Sequence, residues 1–93
     1  MAERILVIED EPTLARLLSY NLMQEGYETT VEGHGSDGLQ AALRQSFDLI
    51  LLDIMLPGMN GFEILTKLRQ HGVRTPVIIL TARNAEDEVV QGL

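Results

Sequence analysis

The stretch Leu49–Asp53, LILLD, decides the fold, because an unbroken apolar run ends there in a carboxylate. A second apolar run, Ile5–Ile8, is followed in the same way by Glu9 and Asp10. Continuous apolar runs of this length predict strands that are buried on both faces, as in a parallel sheet. The carboxyl ends of parallel strands lie at one edge of the sheet, so Glu9, Asp10 and Asp53 are expected to meet there.

Three carboxylates in one crevice repel one another. Two of them at roughly 4 Å cost about 4 kcal/mol at an effective dielectric constant near 20. A divalent cation would neutralise the cluster, and a ligand set made only of oxygen atoms suits magnesium. The sequence therefore predicts a Mg²⁺ site at this edge.

The rest of the chain alternates strand and helix patterns. Strands are predicted at 4–8, 27–32, 48–53 and 77–80, the second of them at a sheet edge. This alternation predicts an α/β fold, a doubly wound parallel sheet with helices on both faces.

Four helices are predicted. The first begins at Pro12, carries an apolar face and stops at Gly26; the second has Ser36 as its N-cap; the third has Phe62, Ile64, Leu65 and Leu68 on its core face; the fourth starts at Asn84 or Ala85. The apolar face of the first helix comprises Leu14, Leu17, Leu18, Asn21 and Leu22.

Composition narrows the class of protein. The chain has 93 residues, which is the size of one small domain, and its formal net charge is −7. A nucleic-acid surface needs a basic stripe, so these residues are not expected to bind DNA by themselves. No cysteine is present to form a disulfide or a thiolate metal site. The sequence also lacks a signal-peptide pattern and a membrane-spanning run, which predicts a cytoplasmic protein.

Three motifs occur in order along the chain: Ile5–Glu11, Leu49–Gly61 and Pro76–Arg83. With them the sequence resembles the CheY-like receiver domain of two-component response regulators, in the branch typified by OmpR and PhoB. The resemblance covers essentially the whole chain. It implies the flavodoxin-like receiver fold, with four of its usual five strand–helix units.

The resemblance also implies a role for each matching residue. Asp53 would accept a phosphoryl group from a sensor histidine kinase. Magnesium would be held by Glu9, Asp10, Asp53 and the backbone carbonyl of Met55. The Thr81 hydroxyl would contact the phosphoryl group, and the Ala82 N–H could add a second donor. The parent protein would be a DNA-binding transcriptional regulator rather than a turnover enzyme.

The sequence departs from the receiver pattern at its carboxyl end. Residues 1–93 correspond to the N-terminal part of a receiver, without the fifth strand, its lysine, the fifth helix or an effector domain. Lys67 is the only lysine and lies in the predicted third helix, where it cannot replace the missing one. The fourth strand, Val77–Leu80, is then expected to be an open edge that favours self-association or domain swapping. DNA would be contacted only through an effector domain.

Three other interpretations stay open. A phosphohydrolase of the haloacid dehalogenase type also uses an aspartate after an apolar strand, but it needs a second acid where this chain has Met55. A flavodoxin-like FMN binder needs a phosphate loop after the first strand, whereas this chain has an acidic segment there. The third is a truncated fragment without signalling competence, of interest for its structure and assembly.

Overall fold

The fold was described from a computed structural model, which describes residues 2–80. The predicted fourth helix, Thr81 and Ala82 lie outside these residues. Within them, strands and helices alternate as the sequence predicts. The elements are β1 (Arg4–Ile8), α1 (Pro12–Gln24), β2 (Glu28–Glu32), α2 (Gly35–Arg44), β3 (Leu49–Asp53), α3 (Gly61–Gln70) and β4 (Val77–Leu80).

The four strands form one parallel sheet in the order β2-β1-β3-β4. From the central strand β1 the chain first moves outward to β2 and then returns to the other side of β1 to form β3. The strand order therefore reverses between β1 and β3, which is the position where open α/β sheets bind ligands. In the described part of the chain β2 and β4 are the outer strands, so the predicted edge position of β2 is confirmed.

Helices cover both faces of the sheet, as expected for a doubly wound fold. Successive strand residues point to opposite faces. On β1, Leu6 and Ile8 therefore join the core under α2 and α3, while Ile5 and Val7 join a smaller cluster with Leu18 of α1. Burial on both faces explains why the inner strands are apolar without interruption.

Helix α1 begins where the sequence predicts. The carboxylate of Glu11 is its N-cap and accepts a hydrogen bond from the N–H of Leu14 at 2.8 Å. Its buried side is narrower than the predicted apolar face. Ala15 is buried and Leu18 is partly buried, whereas the inclusion of Leu17 and Asn21 was wrong, because Leu17 is 55% exposed and Asn21 is exposed as well. Leu17 lies about 100° around the helix from Leu18, on its exposed side.

Two details of α2 and α3 also differ from the prediction. The N-cap of α2 is His34 and not Ser36. The helix begins at Gly35. Gly35 and Gly38 pack closely on their neighbours, and a Cβ at Gly38 would lie 2.6 Å from Cδ1 of Ile8. In α3 the predicted core position of Phe62 was wrong, since its side chain is 50% exposed.

Candidate metal and phosphoryl site

The register of the sheet brings the acidic residues together. Strands β1 and β3 are neighbours, and Ile8 pairs with Leu52, so the next residues, Glu9 and Asp53, lie at the same level. Asp10 follows directly. Carboxylate oxygens of these three residues all lie within 4.8 Å of one another. The described structure therefore brings Glu9, Asp10 and Asp53 together at one edge of the sheet, as the sequence predicts.

The cluster is buried on one side and open on the other. Glu9 is 3% exposed and Asp53 is 5% exposed, and they are the buried charged residues of the described part of the chain. Asp10 is exposed. Two charged groups removed from water need a compensating partner, and the open side at Asp10 is where such a partner can enter.

Backbone donors orient the two buried carboxylates. The N–H of Glu11 donates to Oε2 of Glu9 at 3.0 Å, and the N–H of Met55 donates to Oδ1 of Asp53 at 3.1 Å. The second oxygen of Glu9, Oε1, is buried and has no hydrogen-bond partner. Buried polar atoms are rarely left without a partner, so this oxygen is available to a ligand.

The electrostatics of the cluster favour a bound positive charge. The pKa of Glu9 is raised from its ordinary value of 4.5 to about 7, chiefly by burial and also by the neighbouring carboxylates of Asp53 and Asp10, against the opposing effect of the N–H of Glu11. Near neutral pH Glu9 therefore takes up either a proton or a cation. A hard divalent cation fits this set of oxygen atoms, which contains no nitrogen or sulfur ligand.

The loop between β3 and α3 forms one wall of the site. Gly58, with φ +86°, supplies the left-handed turn after Pro57, and the N–H of Gly61 closes the loop on the carbonyl of Ile54 at 3.0 Å. Asn60 then caps α3 in a capping box with Glu63. A cavity of about 450 Å³ lies against this loop and is lined by Asp10, Ile54, Met55, Leu56, Pro57, Asn60 and Phe62.

Two features of this wall were not predicted from the sequence. Phe62 lies on the rim of the cavity instead of in the core. The spacing of the buried positions Gly61, Ile64 and Leu68 would have indicated this, because it defines a stripe that excludes Phe62. The close packing of Gly61 was also missed, and its only signal is a glycine at the first position of a helix.

A larger groove of about 570 Å³ runs from the acidic cluster along α1 and the outer strand β2. Its walls are largely apolar and carry few converging polar groups. The reactive groups of the groove are therefore the carboxylates at its end. The groove is lined by Glu9, Asp10, Pro12, Ala15, Arg16, Ser19, Tyr20, Met23, Val31 and Gly33.

No described helix is long and apolar enough to cross a membrane.

Of the other predicted site residues, Thr81 and Ala82 lie outside the described range. The predicted role of the Met55 carbonyl stays a prediction, whereas its N–H already contacts Asp53.

Curated proteins from other bacteria are similar to this chain in sequence. The chain is 47% identical over 89 residues to the uncharacterized transcriptional regulatory protein YkoG of Bacillus subtilis, a match that covers 96% of this chain and 39% of YkoG. It is 48% identical over 90 residues to the response regulator ArlR of Staphylococcus aureus, which covers 97% of this chain and 41% of ArlR. The chain thus spans about two fifths of the length of these curated relatives.

A solved structure agrees with the fold. The response regulator TrrA of Thermotoga maritima, crystallised in complex with Mg²⁺-BeF, superposes with a TM-score of 0.83 at 35% identity, over 91% of this chain and 74% of TrrA. The sequence profile of the response regulator receiver domain matches residues 5–93. With the parallel sheet and the acidic cluster between β1 and β3, this match means that the chain belongs to the response regulator receiver domain family.

Proposed function

We propose that Asp53 accepts a phosphoryl group from a phosphohistidine of a sensor histidine kinase, and that residues 1–93 belong to one receiver domain. The observation that carries this proposal is the grouping of Asp53 with Glu9 and Asp10, whose carboxylate oxygens lie within 4.8 Å of one another. A carboxylate in that setting is a suitable nucleophile toward phosphorus once the surrounding negative charge is neutralised.

Magnesium is the proposed cofactor, held by Glu9, Asp10 and Asp53, with the Met55 carbonyl as a further ligand. The unpartnered Oε1 of Glu9 and the oxygen-only donor set support this choice. When bound, Mg²⁺ offsets the negative charge of the phosphoryl group and of the cluster.

The residues of the chain have separate tasks in the proposed transfer. The N–H of Met55 holds Oδ1 of Asp53, which restricts rotation of the carboxylate. An oxygen of Asp53 forms a bond to phosphorus while the bond between phosphorus and the histidine nitrogen breaks, and the electron pair of that bond leaves with the imidazole. The hydroxyl of Thr81 and the N–H of Ala82 are proposed donors to the phosphoryl oxygens. In this proposal the chain assists its own phosphorylation and dephosphorylation, and it is a signalling acceptor rather than a turnover enzyme on an external substrate.

The parent protein is proposed to be a transcriptional regulator. The printed names of its relatives include transcriptional regulatory proteins, and this chain spans only about two fifths of their length. A net charge of −7 argues against DNA contact by these 93 residues, so the proposal assigns that contact to an additional effector domain. A histidine kinase that uses ATP as its phosphate source also implies a cytoplasmic location.

The alternative is a fragment that self-associates through β4 and does not signal. One observation favours it, namely that Val77–Leu80 is an outer strand of the described sheet, and an unpaired apolar strand can add a second chain. Size-exclusion chromatography with light scattering, over a range of protein concentrations, distinguishes a monomer from such an assembly.

The experiment that tests the proposed function combines an acyl-phosphate donor with intact-mass measurement. The unaltered chain with Mg²⁺ is expected to gain one phosphoryl group, and Asp53→Asn is expected to gain none. Asp37→Asn is the matched control, because Asp37 is an exposed carboxylate in the first turn of α2. Labelling that survives Asp53→Asn, or that is unaffected by removal of Mg²⁺ with EDTA, would contradict the proposal.

A further inference from the structure

Gly61, the first residue of α3, lies against the backbone that carries the proposed phosphoacceptor. Its N–H donates to the carbonyl of Ile54 at 3.0 Å. A Cβ built at this position would lie 2.9 Å from the carbonyl oxygen of Asp53 and 3.0 Å from Cα of Ile54. Both are backbone atoms and cannot swing aside as a side chain can. A methyl group at position 61 therefore requires the backbone to move.

The need for glycine here is one of space and not of backbone conformation. Gly58 and Gly72 have positive φ angles of +86° and +81°, and a Cβ at either would meet nothing within 4 Å. Gly61 has no positive φ, so alanine could adopt its dihedral angles. The Cβ of alanine does not fit into the space between α3 and the end of β3.

A methyl group at position 61 would displace the backbone next to Asp53, at the end of β3. Helix α3 is fixed by the capping box of Asn60 and by Ile64 and Leu68, which are both 0% exposed. The end of β3 is held less firmly, since the N–H of Ile54 reaches the carbonyl of Leu80 at 3.3 Å. We therefore expect the backbone at Ile54 to move, and the next residue carries the N–H that holds Asp53.

A second close contact holds the same loop from the other side. At the start of α2, a Cβ at Gly35 would lie 2.7 Å from the carbonyl oxygen of Met59. The loop from Ile54 to Asn60 is thus enclosed between two helix starts, each of which has a glycine at the point of contact.

We propose that Gly61 is a positioning residue for the phosphoacceptor. By allowing α3 to close directly on the Asp53–Ile54 peptide, it keeps the N–H of Met55 on Oδ1 of Asp53. Gly35 supports the same loop through Met59. The inference rests on the proposed function, because it assigns Gly61 a part in the placement of the carboxylate that would be phosphorylated.

The test compares Gly61→Ala with Gly72→Ala in the intact chain. Both changes add one methyl group to a glycine of the α3 region and both have a cost in stability. At Gly72 that cost comes from the φ of +81° and falls at the far end of the helix, away from the site. Two quantities are measured: the amide ¹H–¹⁵N resonance of Met55 in metal-free protein, and the rate of phosphoryl incorporation from an acyl-phosphate donor with Mg²⁺. Misplacement of a reacting group by about 1 Å lowers rates by up to ~100-fold.

The expected result is a shifted Met55 resonance and a ~10- to 100-fold lower rate in Gly61→Ala, with both quantities near those of the unaltered chain in Gly72→Ala. If Gly61→Ala behaves like the unaltered chain, or if both variants lose rate equally, the inference is overturned. If the unaltered chain is not labelled while Gly61→Ala still shifts the Met55 resonance, the proposed function fails and the positioning of Asp53 stands.

Two further measurements decide the matter if Gly61→Ala does not fold. Gly35→Ala displaces the same loop through Met59 and is expected to lower the incorporation rate in the same direction. In the unaltered chain, hydrogen exchange at the Gly61 N–H is expected to be slow because of its bond to Ile54. Exchange at the rate of an open loop amide, or an unchanged rate of labelling in Gly35→Ala, would overturn the inference.

Discussion

The buried carboxylate of Glu9 makes the metal-free protein sensitive to pH. Its pKa in the folded state is raised from 4.5 to about 7, first by burial and then by Asp53 and Asp10. The folded state therefore binds a proton more tightly than the unfolded state between these values. Stability falls as pH rises through this window and then stays low at higher pH. At about 1.4 kcal/mol for each pKa unit, the rise from 4.5 to about 7 corresponds to roughly 3 kcal/mol.

Glu9→Gln removes this titration and keeps the shape of the side chain. The amide oxygen can still accept from the N–H of Glu11, as Oε2 of Glu9 does at 3.0 Å. Relative to the unaltered chain, the free energy of unfolding of the variant is expected to rise by roughly 2 kcal/mol between pH 5 and pH 8 without metal. The measurement is urea denaturation followed by circular dichroism in EDTA at both pH values. Glu3→Gln is the control, because Glu3 is exposed.

Magnesium is expected to act in the opposite direction, because it stabilises the unaltered chain more than Glu9→Gln. A ligand present at 100 times its Kd stabilises the folded state by about 2.7 kcal/mol. The unaltered chain is expected to gain this stability at pH 8, whereas Glu9→Gln, which lacks one charged oxygen ligand, gains much less. The reasoning is refuted if the stability difference between the two proteins is the same at pH 5 and pH 8, or if Mg²⁺ stabilises both equally.

Three predictions concern the framework of the site, and each is read from the urea midpoint of the variant. Arg4→Ala loses hydrogen bonds to the α2–β3 segment and a cation–π contact 5.0 Å from the Phe47 ring centre, and is expected to cost about 1–2 kcal/mol; an unchanged midpoint would contradict this. Asn60→Ala removes the capping box of α3 and is expected to cost about 1 kcal/mol, while a larger loss would point to a role beyond capping. Gly38→Ala places a methyl group against Cδ1 of Ile8 and is expected to cost about 1–3 kcal/mol, unless α2 shifts without loss of packing.

The arrangement of strands and the position of the acidic cluster could be predicted from the sequence. Apolar runs such as Ile5–Ile8 and Leu49–Leu52 are long enough to be strands and too short for helices of the usual length. Their alternation with helical patterns leaves a parallel sheet as the simplest solution. In such a sheet the residues that follow the strands share one edge, so Glu9 and Asp53 meet without any knowledge of the helices.

The faces of the helices could be predicted only in part. Apolar periodicity indicates that α1 and α3 each bury one side, but it does not give the rotation of the helix on the sheet. Leu17 and Phe62 each lie next to the true buried stripe, and both are at least half exposed. This rotation depends on how closely the helix packs on the sheet; in α3 that approach is set in part by Gly61, whose Cα lies against the end of β3.

The sequence by itself thus determined the order of the elements, the parallel sheet and the three carboxylates at its edge, because these depend on local pattern and on strand direction. Only the tertiary structure decided that one oxygen of Glu9 is buried without a partner, and that Gly61 touches the peptide of Asp53. Both facts depend on distances between residues of different elements. Such distances follow from the packing of α3 and its loop on the sheet, which no local pattern encodes.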